Sequence, residues 1–160
     1  MYLLFKIVAL LPLSLLQLIA SWIAILLNSY NSSMKRITRI NLQLAYPNLS
    51  TQQQEIFIKN SLKSQCMTYV ESIKCWGMPP EYNLALLKNI YSEQYFTEAL
   101  ANKKGVIVVV AHFGCWELLN AWLNLYSSPM IMYKPNKNKG IDRFMLEARQ
   151  RLNTTLVPTD

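Results

Sequence analysis

One imidazole and one carboxylate lie five positions apart in His112-Phe113-Gly114-Cys115-Trp116-Glu117. His112 is the single histidine of the chain. If Glu117 accepts a hydrogen from one ring nitrogen, the other nitrogen is held as a base. Such a base can take a proton from a substrate hydroxyl. The segment has no serine placed as a nucleophile. Cys115 is near His112 in sequence, but neighbours at a strand-to-helix corner point apart, which disfavours a Cys–His nucleophile. Each residue also has a plainer explanation. A lone histidine is more often structural, and a carboxylate in the first turn of a helix is favoured by the macrodipole. The combination carries the information, because it falls at one corner of one structural unit.

That unit runs from Val106 to Tyr126. Val106–Ala111 is an unbroken, mainly β-branched run, the pattern of a strand buried on both faces. Leu118–Tyr126 carries apolar residues at helical spacing. His112 is therefore expected at the carboxyl end of a strand and Glu117 in the first turn of the following helix. Ligands of open α/β sheets bind in that crevice, and Gly114 would let the backbone come close.

The 160 residues suffice for one modest domain. Net charge is +7, which suits an anionic partner such as a membrane surface, a phosphorylated ligand or nucleic acid. Nucleic acid is disfavoured because the cations are not interleaved with aromatics in a binding motif. Cys66, Cys75 and Cys115 form no C-x-x-C pair and no metal-ligand cluster, so reduced thiols and no metal are expected.

Hydrophobic residues make up 52%, and the excess lies at the N-terminus. No charge occurs between Lys6 and Lys35, and Ile7–Leu27 is long enough for one bilayer crossing of ~20 residues. A cleaved signal peptide would have a shorter apolar region and an A-x-A-like site. Residues 1–30 are thus expected to form a transmembrane or membrane-anchoring helix, or one tilted into the interface by Trp22 and Tyr30. Lys35, Arg36 and Arg39 follow the run and place residues 31–160 on the cytoplasmic side.

Met34–Tyr46 reads as a basic amphipathic helix with Ile37, Ile40 and Leu44 on one face. Ser50-Thr51-Gln52-Gln53 is a capping-box pattern. It opens a helix whose Ile58, Leu62, Cys66, Tyr69 and Ile73 form a core stripe. Gly77 and Pro79-Pro80 break the chain. Leu84–Lys88 is expected to be helical, Asn89–Tyr91 a short strand, and Glu93–Ala101 a helix with Phe96 and Leu100 inward. Met130–Tyr133 is a second strand, Ile141–Leu152 a helix, and Thr155–Val157 the start of a third strand. The alternation predicts an α/β fold: an N-terminal membrane helix, then helices and a mostly parallel sheet covered by helices.

The residues resemble a known family. HFGCWE fits the H-x4-E motif of glycerolipid-type acyltransferases, and its context is similar to the lipid A biosynthesis acyltransferases of lauroyl/myristoyl type. The resemblance includes the N-terminal anchor and the segments NLQLAYPNLS at Asn41–Ser50, GVIVVVAHFGCWELLN at Gly105–Asn120 and MYKPNKNKGIDRFMLEARQR at Met132–Arg151. It implies acyl transfer from an acyl carrier protein thioester to a hydroxyl of a lipid A precursor at the inner membrane, without a cofactor. His112 would be the general base and Glu117 its orienting partner. Lys134, Arg149 and Arg151 would bind substrate phosphates, although the family commonly has arginine where this chain has Lys134. Membrane lipids are a further expected partner. The resemblance also implies a second half with further strands, so this chain is expected to be the N-terminal portion of a longer enzyme, with a sheet incomplete at its C-terminus. Two other readings stay open: an acyltransferase acting on another glycolipid or a lysophospholipid, and an inactive membrane-binding module.

Overall fold

The computed structural model describes residues 1–152 and 154–159. The chain is mostly helical: α1 (Tyr2–Leu10), α2 (Leu13–Ser29), α3 (Ser33–Ala45), α4 (Thr51–Gly77), α5 (Pro80–Ala85), α6 (Glu93–Ala101), α7 (Glu117–Leu123), β1 (Met130–Tyr133), α8 (Lys139–Gln150) and β2 (Thr155–Pro158). It forms two compact units, residues 11–73 and residues 1–10 with 74–160.

The first unit holds α2, α3 and most of α4. The expected single anchoring helix is two helices, because Pro12 divides the apolar run. Proline restricts the residue before it and tends to end a helix there. α2 has 17 residues, about 25 Å of helix against a hydrocarbon core of about 30 Å. No single helix among the described residues is long and apolar enough to cross a membrane. α2 meets α4 through small residues: Ala20, Ala24 and Cys66 are buried together, with Leu27, Met67 and Val70 around them. Ile58 and Leu62 are fully buried as the periodicity required, but Tyr69 leaves the stripe and is exposed. The capping box forms reciprocally, with Gln53 N donating to Ser50 Oγ at 3.3 Å and Ser50 N to Gln53 Oε1 at 2.9 Å. Lys35 and Arg39 turn to Glu55, while Ile37, Ile40 and Leu44 stay exposed on α3.

The second unit is built round Phe144 of α8, which is 1% exposed. Tyr2 and Phe5 of α1 and Trp76 of α4 pack their rings against it at 5.6–6.4 Å. Gly77 lies against Ala9, so closely that an added Cβ would stand 2.0 Å from the alanine's own. The end of α4 exposes carbonyls that the helix cannot satisfy itself. Asn83 Nδ2 donates to Cys75 O at 3.0 Å, and Arg151 donates to the carbonyls of Trp76 and Met78. Lys74 Nζ donates to Ala9 O at the end of α1 at 2.8 Å. Phe96 of α6 packs on Trp122 of α7 at 5.1 Å.

β1 and β2 pair in parallel, with Met130 opposite Thr155 and Tyr133 opposite Pro158. They are the whole sheet among the described residues, a smaller one than the α/β reading expected. Asn89–Tyr91 is not a strand. Val106–Ala111 is not one either: it joins no ladder, and Ile107 and Val109 are more than 90% exposed. The run pairs with neither β1 nor β2, and a strand without a neighbour is not held.

Candidate active site

His112 stands at the end of the extended run, exposed, with its ring 4.5 Å from the Trp116 ring at 57°. Gly114 follows at φ +61°, in the left-handed region where a side chain is strained. Nothing lies within 4 Å of where its Cβ would be, so the glycine serves this turn and not the close backbone approach expected of it. Trp116 leads into α7, whose first residue is Glu117.

Glu117 is buried, and its side chain is 4% exposed. Its partners are on its own helix and on α8. Arg149 Nη2 donates to Oε1 at 3.0 Å, and Asn120 Nδ2 donates to Oε2 at 3.1 Å. The Arg149 side chain is 12% exposed, so the pair is a largely desolvated ion pair held by two helices. Among the described residues no hydrogen bond joins His112 to Glu117. The structure therefore brings Glu117 and Arg149 together and leaves the imidazole outside. Of the other expected cations, Lys134 is exposed just beyond β1, and Arg151 is engaged on the carbonyls at the end of α4.

A cavity of about 20 Å³ beside the ion pair is lined by Trp76, Asn83, Glu117, Asn120 and Arg149. That is room for about one water, far too little for an acyl chain. Trp76 Nε1, Asn83 Oδ1 and Arg149 Nε, all from residues of this lining, are buried without a protein partner. A wider cleft of about 510 Å³ is lined by Lys6, Leu10, Gly77, Glu147, Gln150 and Arg151, within the size range of small-molecule sites. At its edge Tyr2 donates its hydroxyl hydrogen to Glu147, with oxygens at 2.7 and 2.6 Å, and Lys6 and Arg143 each approach the same carboxylate at 3.1 Å. The Tyr2 hydrogen bond, then Lys6 and Arg143, hold the Glu147 carboxyl down to about 2 against the opposing effect of burial. The pairing of Glu147 is with Arg143, not the Arg151 side chain four residues later.

Sequence reasoning missed Lys6 and Asn120. Asn120 had a signal: it lies three residues after Glu117, the spacing at which helix side chains meet. Lys6 offered only its isolation as the one cation before Lys35.

The model of the bacterial lipid A biosynthesis acyltransferases matches residues 1–160. The chain belongs to that family. Among curated members it is similar to the lipid A biosynthesis lauroyltransferase of Escherichia coli K12, 26% identical over 127 residues, covering 78% of this chain and 41% of the relative. It is similar to the palmitoleoyltransferase of the same strain, 24% identical over 147 residues, covering 92% of this chain and 48% of the relative. It is also similar to the lipid A biosynthesis acyltransferase of Haemophilus influenzae, 25% identical over 121 residues, covering 76% and 38%. The chain thus spans less than half the length of these family members.

Proposed function

We propose that this chain carries the general base of an acyl transfer from an acyl carrier protein thioester to a hydroxyl of a lipid A precursor. His112 takes the hydroxyl proton as the oxygen attacks the thioester carbonyl. The carbon–sulfur bond then breaks, and the imidazolium returns the proton to the leaving thiolate. One observation carries the reading. In a chain matched by the family along its length, the imidazole is open to solvent while the neighbouring thiol of Cys115 faces Cys75 at 3.5 Å. An external hydroxyl is the group such a base reaches.

Glu117 orients and balances the imidazolium once substrate draws the ring inward. A carboxylate offers about four acceptor positions, and Arg149 and Asn120 fill two. Arg149 and Lys134 meet phosphate, and Arg151 lines the wider cleft where Lys6 adds a second cation. Apolar side chains on α1 (Leu3, Ile7, Leu10), α2 (Leu18, Trp22, Leu26) and α3 (Ile37, Leu44) are exposed. They support association with a membrane, with lipids as neighbours, and Lys35, Arg36 and Arg39 after the apolar run favour the cytoplasmic face of the inner membrane.

The test is transfer from acyl carrier protein by the purified 160-residue chain in lipid, with and without His112→Ala. A loss of 10²–10⁴-fold in the variant, with membrane binding kept, supports the reading. Equal transfer by both chains refutes the role of His112. Membrane binding without transfer by either chain favours the membrane-binding module. Lysophospholipid and another glycolipid, offered in parallel, distinguish the acceptor.

A further inference from the structure

Cys75 and Cys115 lie 40 residues apart in sequence, yet their sulfurs face each other at 3.5 Å. Cys75 is buried in the last turn of α4, and Cys115 is partly exposed in the turn that carries His112. We propose that the pair is a reversible disulfide site, which ties the His112 turn to α4 when a low-molecular-weight disulfide is present.

The two ends differ in freedom. Cys75 sits in regular helix, and its carbonyl is held by Asn83. Cys115 sits in irregular backbone, one residue after Gly114 and two before Glu117. A disulfide needs its sulfurs about 2.05 Å apart, and closing the gap from 3.5 Å falls to the irregular side. Movement of Cys115 carries Trp116 with it, and the Trp116 ring is what His112 rests against.

The chemistry is thiol–disulfide exchange. The more accessible Cys115 thiolate attacks one sulfur of the external disulfide and releases one small thiol. The Cys75 thiolate then attacks the Cys115 sulfur of the mixed disulfide and releases the second. Two protons pass to solvent or to the leaving thiolates, and the two electrons leave with the reduced small thiols. Cys66, buried in the α2–α4 packing and with its thiol pushed up by burial, stands outside the exchange.

The wild-type chain is treated with oxidised glutathione, alkylated and digested for mass spectrometry. The expected result is loss of two of the three alkylatable thiols, one peptide linking Cys75 to Cys115, and full recovery on reduction. The single histidine gives a second readout: its ring resonances shift on oxidation in the wild type and stay in place in Cys115→Ala, which lacks the attacking thiol and keeps only the buried Cys75 of the pair. Three alkylatable thiols after treatment, glutathione adducts without the link, or links through Cys66 would each overturn the proposal. None of these readings uses acyl transfer, so the proposal stands or falls apart from the proposed activity.

Discussion

Arg149 on α8 holds the buried carboxylate of Glu117 at the first residue of α7, 3.0 Å from nitrogen to oxygen. The contact ties the first turn of α7, and with it the motif turn, to α8. Removing one partner strands the other's charge in a site with little water. Glu117→Gln is expected to cost about 3 kcal/mol of unfolding free energy, and Arg149→Met a similar amount. The double change Glu117→Leu with Arg149→Met should cost clearly less than the sum. Urea titration of the four chains measures this, and strict additivity would mean the two side chains do not share one site.

His112 presents the opposite case. It is exposed and rests against one aromatic ring, that of Trp116, so His112→Ala should change stability by no more than about 0.5 kcal/mol. A loss much above that, in the same titration, would mark the imidazole as a structural group.

Gly77 has no room for a methyl group. Gly77→Ala places a Cβ 2.0 Å from that of Ala9, and overpacking of this kind costs about 1–3 kcal/mol. Adding Ala9→Gly should return part of the loss. Thermal unfolding of the single and double variants tests the pair, and no recovery in the double variant would place the strain elsewhere.

Acid should loosen α1 from α8. In the folded chain the Glu147 carboxyl is held down to about 2, against 4.5 for an ordinary one. Its contribution is therefore complete above pH 4.5 and is lost as pH falls towards 2. Hydrogen exchange of α1 amides should accelerate across that window and not between pH 7 and 5. Tyr2→Phe removes the first cause of the shift, so it should move the window towards 4.5 and cost about 1 kcal/mol at neutral pH.

What the sequence disclosed depended on how far each signal reached. The Ser50–Gln53 box, the helix at Glu93–Ala101 and the strand at Met130–Tyr133 rest on residues a few positions apart, and they formed as read. Composition made Val106–Ala111 a good strand, but composition does not reveal whether a neighbouring strand is there to pair with it. His112 and Glu117 were legible as a motif, yet the partner that Glu117 takes is 32 residues away and carries an unlike side chain. Tyr2 and Glu147 are 145 residues apart, and nothing local in either segment announces their contact. Pro12 was visible in the apolar run, but its power to cut one helix into two was outweighed there by overall hydropathy.

The bare run at Val106–Ala111 has a practical consequence. Six consecutive residues, five of them valine or isoleucine, carry no charge and join no ladder, and all but Val106 are exposed. Extended chains of that make-up seed one another into fibrils and clumps, the more so as concentration rises. Handling this polypeptide on its own therefore calls for dilute samples, and a lysine placed at Val109 is the simplest guard against its self-association.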